Sequence, residues 1–180
     1  GGDNRAHRTS RRYTGEWKND KRHGVGKVIY VAEVPPGSGN VVETEYYNGD
    51  WVEGEMQGRG KYSYQDGSVY EGEWVAGKMS GWGKFTFANG NEYEGNWKND
   101  MKEGFGTIKY ASGERYEGSW EQDMCHGEGT FIYANKDTYV GSWAQDKKHG
   151  KGELSFVNGN VYKGFWENDM AQGQGVLTYR

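Results

Sequence analysis

Gly81-Trp82-Gly83-Lys84-Phe85-Thr86-Phe87-Ala88-Asn89-Gly90-Asn91-Glu92-Tyr93-Glu94-Gly95-Asn96-Trp97 is the stretch that decides the fold. On both sides of Asn89-Gly90 the side chains alternate with period two, as they do along a β-strand, and Asn-Gly between two such runs signals a hairpin. Gly81, Gly83, Phe85 and Phe87 share one face of the first strand; Asn91, Tyr93, Gly95 and Trp97 share one face of the second. A two-residue loop would send these two sets to opposite faces. A three-residue loop, Ala88-Asn89-Gly90, with Gly90 left-handed, sets Phe85 opposite Tyr93 and Gly83 opposite Gly95, so that all of them lie on one side.

The closing phrase, tyrosine-x-glycine-x-tryptophan, occurs seven times, starting at Tyr13, Tyr47, Tyr70, Tyr93, Tyr116, Tyr139 and Tyr162. From Tyr47 onward the step is 23 residues, and the first step is 34, which adds an 11-residue insertion. A fixed period of this size marks a repeat architecture whose units contact mainly their neighbours. The hairpin register repeats with it: Lys61 falls opposite Glu71, Lys84 opposite Glu94, and Glu153 opposite Lys163 with the signs exchanged. Lys109 opposite Arg115 is a counterexample, a pair of like charges near the turn, where solvent screens it. Each such pair is worth about 0.2–1 kcal/mol, enough to help fix register.

Glycine numbers 31 of the 180 residues, and only two are proline. The Gly-x-Gly pairs and the glycine of each Tyr-x-Gly-x-Trp phrase fall on the aromatic face. A lane without Cβ atoms there lets Tyr and Trp rings lie across the backbone and bury their area. Phosphate binding by these glycines is disfavoured, since no Walker pattern occurs and no helix follows them. Hydrophobic content of 33% would suggest disorder, but 16% of the residues are aromatic and recur with the period, so an ordered, thin protein is expected.

The phrases Tyr70-Glu71-Gly72-Glu73-Trp74 and Tyr93-Glu94-Gly95-Asn96-Trp97, each ending a Gly-x-Gly hairpin at a period of 23, resemble MORN repeats (membrane occupation and recognition nexus). The resemblance covers residues 13–180. It implies an all-β fold: an elongated, single-layer antiparallel β-meander of seven stacked 23-residue hairpins with an aromatic-lined groove. It also implies roles in cytoskeletal, ciliary or membrane-adjacent assemblies. Residues 1–12 are expected to form a basic N-terminal tail. The insertion, residues 32–43 with Pro35-Pro36-Gly37-Ser38-Gly39, is expected to enlarge the first hairpin loop. The last unit stops at Arg180 midway through its pattern, as an excerpt of a longer array would.

Chemistry-bearing residues are sparse. His126 and His149 each precede a Gly-x-Gly and would stack roughly 10 Å apart in adjacent units, too far to share one zinc at about 2.1 Å per bond. Glu71, Glu73, Glu94 and Glu117 recur at the repeat period on the solvent face, and nothing sets a nucleophile beside them. Neither an enzyme nor a cofactor nor a metal is expected. Cys125 is the single cysteine, so no disulfide can form within the chain, and a reducing, cytoplasmic location is expected. The five methionines, Met56, Met79, Met101, Met124 and Met170, all fall in the stretches that join hairpins; as a row along one edge they would receive an apolar helix of a partner, and packed under the next Trp they would seal each junction. In the fifth hairpin Lys136 stands where a left-handed glycine is usual, at a cost near ~1 kcal/mol.

Two functions of different class follow. The first is a scaffold whose groove, lined by Tyr70, Trp74, Tyr93, Trp97, Tyr116, Trp120, Tyr139 and Trp143, holds an extended or helical segment of another protein in a cytoskeletal or ciliary assembly. The second is a peripheral module that meets anionic phospholipid through Arg5, Arg8, Arg11 and Arg12 and the loop lysines Lys147, Lys148 and Lys151. Net charge is −4. Residues 1–31 carry 8 Lys/Arg against 3 Asp/Glu, so the rest of the chain is at −9, which opposes both an anionic membrane and a nucleic acid. The last strand, Val176-Leu177-Thr178-Tyr179, has no following strand in the pattern, and its open edge would suit a homodimer.

Overall fold

The computed structural model describes residues 8–180, with side chains from residue 10 onward. Among the described residues every regular element is a strand, and within each of the two units below successive strands pair antiparallel in chain order. The chain divides into two compact units, residues 1–88 and 89–180. The first holds β1 (Arg8–Lys18), β2 (Lys21–Glu33), β3 (Val41–Val52), β4 (Glu55–Ser63), β5 (Val69–Val75) and β6 (Lys78–Thr86). The second holds β7 (Glu92–Lys98), β8 (Met101–Lys109), β9 (Arg115–Glu121), β10 (Met124–Ile132), β11 (Thr138–Ala144), β12 (Lys147–Ser155), β13 (Val161–Glu167) and β14 (Met170–Thr178).

Two kinds of turn alternate. In the first, Tyr64 N–H donates to Ser68 O at 2.9 Å and Gly67 N–H to Tyr64 O at 3.0 Å, closing the three-residue loop expected from the sequence. Gly67 takes φ +88°, the left-handed conformation that places a bulge after a tight turn. Lys136 occupies the equivalent position at φ +74°. The resulting register is the expected one: Tyr62 faces Tyr70, Gly60 faces Gly72, Lys61 faces Glu71 and Thr107 faces Glu117. Glu153 and Lys163 form an ion pair at 2.8 Å. Lys109 does face Arg115, and Arg115 relieves that repulsion by pairing with Glu117 on its own strand.

The second kind of turn has two residues, both left-handed: Ala76 and Gly77, or Gln122-Asp123 and Gln145-Asp146. These are type I′ turns, whose twist suits a hairpin. Their aspartates also tie one repeat to the one before. Asp123 Oδ1 accepts from Lys102 N–H at 2.8 Å, Asp146 Oδ1 from Cys125 N–H at 2.7 Å, and Asp169 Oδ1 from Lys148 N–H at 2.8 Å. The backbone N–H of the same aspartates donates back to the carbonyls of Lys102, Cys125 and Lys148. At the three-residue turns, Asn91 Oδ1 accepts from Ala111 N–H, and Asp137 Oδ1 from Val157 N–H. Groups that a hairpin end would leave to water are thus paired along the array.

Several expectations are corrected. Strand β1 begins at Arg8, pairing Arg11 with Tyr30 and Arg12 with Ile29, so residues 8–12 belong to the sheet rather than to a tail. The insertion lengthens β2 and β3, which stay paired out to Glu33 and Val41, and leaves a loop of only residues 34–40. The methionines do not make one row. Met56 and Met79 lie opposite Trp51 and Trp74, while Met101, Met124 and Met170 come one position earlier, opposite Lys98, Glu121 and Glu167. Period-two alternation sends those two positions to opposite faces.

Candidate functional site

Each repeat is built around one tyrosine and one tryptophan. Tyr116 lies over Gly118 of β9 and Gly129 of β10; a Cβ on Gly129 would sit 2.4 Å from its hydroxyl oxygen and 2.5 Å from its ring carbons. The two glycines face each other, and a Cβ on Gly118 would meet the Cα of Gly129 at 2.5 Å. Only a lane of bare backbone admits the ring flat against the sheet.

The glycines of each Gly-x-Gly pair have different tasks, which the sequence pattern alone does not separate. The second, such as Gly83, lies under a tyrosine. The first, such as Gly81 at φ +79°, sits in a bulge. There the register moves from Gly72 opposite Gly83 to Trp74 opposite Met79, leaving Glu73 against three residues. Glu73 Oε1 accepts from Trp82 N–H at 3.2 Å, and Tyr70 donates its hydroxyl to Glu73 O at 2.9 Å. The hydrogen bond from tyrosine to the carbonyl three residues on recurs at Tyr47, Tyr93, Tyr116 and Tyr139.

Tryptophan joins the repeats. In the second unit, Trp120 stands edge-on to its own Tyr116 at 5.1 Å and to the previous Tyr93 at 5.3 Å. Trp143 bridges Tyr139 and Tyr116 in the same way, and Trp166 bridges Tyr162 and Tyr139. The first unit shows the same zipper at Trp51 and Trp74. Each indole N–H donates to a glycine carbonyl: Trp74 to Gly60 at 3.1 Å, Trp120 to Gly106 at 3.1 Å. Cations cap several rings, with Arg22 4.1 Å from the Trp51 centroid and Lys102 4.6 Å from Trp120. Edge-to-face pairs are worth about 0.5–1.5 kcal/mol each beyond the area they bury.

This zipper changes the standing of the expected groove. Tyr70, Tyr93, Tyr116 and Tyr139 are 0% exposed, and Trp74, Trp97, Trp120 and Trp143 are buried too. They are the core of a one-layer sheet, and their burial leaves no ring face for a partner. Burial also raises the pKa of Tyr93, Tyr116 and Tyr139 well above the ordinary phenol value.

What remains accessible on that face is the row nearer the three-residue turns. In the first unit Tyr64, Phe85 and Phe87 are half-buried, with ring centroids 5.7 Å apart for Tyr64 and Phe85 and 4.5 Å for Phe85 and Phe87. In the second unit Tyr110, Phe131 and Tyr133 are half-buried, Phe131 and Tyr133 being 4.6 Å apart and Phe131 resting 6.0 Å from Trp143. Burial pushes the Tyr110 phenol up to about 12. The sequence signal for this row is the aromatic pair of Gly-x-Gly-x-Phe-x-Phe, whose second member stands one alternating position farther from the Trp than the first. The reverse face is less polar than expected, because Trp82, Phe105 and Phe165 are about half exposed on it.

The basic residues do not converge. Arg5 lies outside the described residues, as does the side chain of Arg8; Arg11 and Arg12 are exposed on consecutive positions of β1, and so on opposite faces. Lys148 is engaged, with Nζ 4.4 Å from the Trp166 ring and 3.2 Å from Tyr133 Oη. Lys147 and Lys151 are exposed, and Lys151 Nζ sits 5.6 Å from the Phe165 ring. His126 Nε2 lies 3.3 Å from Glu121 Oε2, and no group of three or more metal-ligating side chains occurs among the described residues. Cys125 is buried opposite Trp120, and burial together with Asp146 raises its thiol pKa, so it does not form a thiolate near neutral pH.

The MORN repeat family model matches residues 13–31, 47–69, 70–92, 93–115, 116–138, 139–161 and 162–180. MORN repeat-containing protein 3 of Xenopus laevis is 39% identical over 57 residues, which cover 32% of this chain and 20% of that protein. Among solved structures, the TCP domain of SAS-4 from Drosophila melanogaster, in complex with a proline-rich motif of Ana2, superposes with a TM-score of 0.50 at 11% identity, over 94% of this chain and 90% of that one. That likeness concerns the fold. With seven matched repeats, each carrying the same ring-over-glycine core, the chain belongs to the MORN-repeat family.

Proposed function

We propose that the chain is a non-enzymatic scaffold that holds a segment of a partner protein along the half-buried aromatic row. One observation carries this reading: Tyr64, Phe85 and Phe87, and likewise Tyr110, Phe131 and Tyr133, stay only half-buried on a frame whose own core is the buried Tyr and Trp. Rings held in place before a partner arrives lose little entropy on contact, and aromatic anchors of this kind dominate binding energy. The SAS-4 domain that shares the fold carries a proline-rich motif of another protein. An extended segment of that character suits a flat, ring-lined ledge here, since a polyproline II strand packs its own rings against aromatic side chains.

A cytoplasmic, cytoskeletal or ciliary setting is part of the same proposal, resting on the family. Anionic phospholipid is the lesser reading, because Lys148 is engaged with Trp166 and Tyr133 while the exposed cations are dispersed.

The test is a selection of peptides from a displayed library on the intact chain, followed by affinity measurements. Phe131→Ala with Tyr133→Ala is expected to weaken the selected peptides about tenfold or more, equivalent to ~1.4 kcal/mol. Phe105→Ala on the reverse face is expected to leave them unchanged. Equal affinity for both variants, with both melting as cooperatively as the parent chain, would remove this reading.

A further inference from the structure

Lys148 places a half-buried cation beside the aromatic row of the second unit, and the fold gives it no anion. Its Nζ sits 4.4 Å from the Trp166 ring centroid, 5.6 Å from that of Tyr139 and 5.7 Å from that of Tyr133. One N–H donates to Tyr133 Oη at 3.2 Å. Among the described residues no carboxylate pairs with this ammonium; Asp169 accepts from the backbone N–H of Lys148 instead. Two further N–H groups of Lys148 and the O–H of Tyr133 are therefore donors that no acceptor among the described residues takes up. Neighbouring repeats differ at this place. At the period of 23, Met56, Met79, Lys102 and Cys125 precede Lys148. One period before Tyr133 and Lys148 stand Tyr110 and Cys125, a phenol beside a thiol that stays neutral.

We propose that the partner segment held on this row carries an aspartate or glutamate whose carboxylate binds Lys148 Nζ and Tyr133 Oη together. The inference rests on the ledge reading above and names the chemistry that the ledge selects. A segment laid over Phe131 and Tyr133 also covers Lys148 and takes water from its ammonium. A charge stripped of water and left without an anion is costly, so a neutral segment binds less tightly. A carboxylate removes that cost, because its two oxygens can accept from the two donors, which stand 3.2 Å apart. A lysine or arginine at the same place in the segment would meet a like charge, so the cation also turns wrong partners away. One ammonium balances one carboxylate. A phosphate brings a charge of about −1.5 to −2 at neutral pH, and Lys147, the adjacent residue of β12, lies on the opposite face and does not help to neutralise it. At the preceding step Cys125 offers no charge, so the acid has one place to bind along the row.

The probes are proline-rich peptides with randomised positions between the prolines, displayed as a library and selected on the whole chain. Each winner is then resynthesised with its Asp or Glu residues changed in turn to Asn or Gln. Winners are expected to share an acid at one position, and the amide analogue is expected to bind the parent chain about tenfold or more weakly. On Lys148→Met the acid and its amide are expected to bind equally. Methionine fills this place at Met56 and Met79, so the variant is expected to melt like the parent. Tyr133→Phe keeps the ring and is expected to narrow the difference between acid and amide. Phe131→Ala is expected to weaken both peptides alike, which separates the ledge from the cation. Winners that need Phe131 but show no preference for an acid, or that keep the preference in Lys148→Met, would overturn this site and leave the ledge standing. A phosphoserine peptide that outbinds its glutamate counterpart would overturn it as well, by giving the site to phosphate. Winners indifferent to Phe131, or no winners at all, would remove the ledge and this site together.

Discussion

The hydroxyl of Tyr116 donates to the carbonyl of Ser119 at 2.8 Å, and Ser119 is the residue skipped where β9 and β10 slip register. One side chain therefore roofs the glycine lane and satisfies a carbonyl that the bulge takes out of the ladder. Tyr116→Phe keeps the ring and loses the hydrogen bond, at a cost of about 1 kcal/mol. Because a repeat array opens locally, the effect should appear as faster amide exchange in β9 and β10 than in β13. Uniform exchange across the second unit would contradict it.

Gly129→Ala is a harsher change. Its Cβ would lie 2.4 Å from Tyr116 Oη with rigid backbone beneath, so the ring must leave its place between Trp120 and Trp143. A loss of about 3 kcal/mol is expected, as for an overpacked core. Gly113→Ala is the comparison: the space there is open but φ is +93°, and the cost is about 1 kcal/mol. Urea midpoints of the two variants should rank in that order.

Lys136 holds φ +74° at a position where Gly67, Gly90, Gly113 and Gly159 stand in other repeats. Lys136→Gly is expected to stabilise the chain by up to about 1 kcal/mol, the steric cost of a left-handed side chain less the extra chain entropy of glycine. A lower melting temperature for the variant would mean that the lysine stem contributes more than its strain takes away.

Cys125 supplies a pH test. Burial and Asp146 raise its folded pKa, so the neutral thiol is favoured in the folded chain. Below the unfolded value near ~8.5 the stabilisation is fully present. Above it the unfolded chain releases a proton that the folded one keeps, and stability falls until the folded pKa is reached. Between pH 7.5 and 9.5 the parent is expected to lose about 1 kcal/mol more than Cys125→Ala. Further loss beyond pH ~10 comes in both from the buried tyrosines, whose folded pKa values are likewise raised. Parallel pH profiles for parent and variant between 7.5 and 9.5 would contradict the assignment.

Strands, three-residue loops and register were legible because they rest on local chemistry. Alternation at Phe85 and Phe87, the left-handed glycine after Asn89, and opposite charges at Lys61 and Glu71 all lie within one hairpin. The aspartate turns were not legible. Asp146 pairs with Cys125, 21 residues earlier, and only the stacking of one repeat on another brings them together. The aromatic residues showed the same divide: their shared face followed from spacing, whereas their burial did not.

By itself the sequence determined that this is a repeat of β-hairpins with tyrosine, tryptophan and bare glycine on one side, since period and parity are properties of the chain. Tertiary structure alone decided which rings are core and which are surface. Tyr116 disappears because Trp120 closes one side of it and Trp143, from the next repeat, the other, while Phe131 meets Trp143 only at 6.0 Å and stays half-buried, as does Tyr133, and Trp17 in the first strand is exposed. Burial belongs to the neighbour that arrives from another repeat, and no single repeat encodes it.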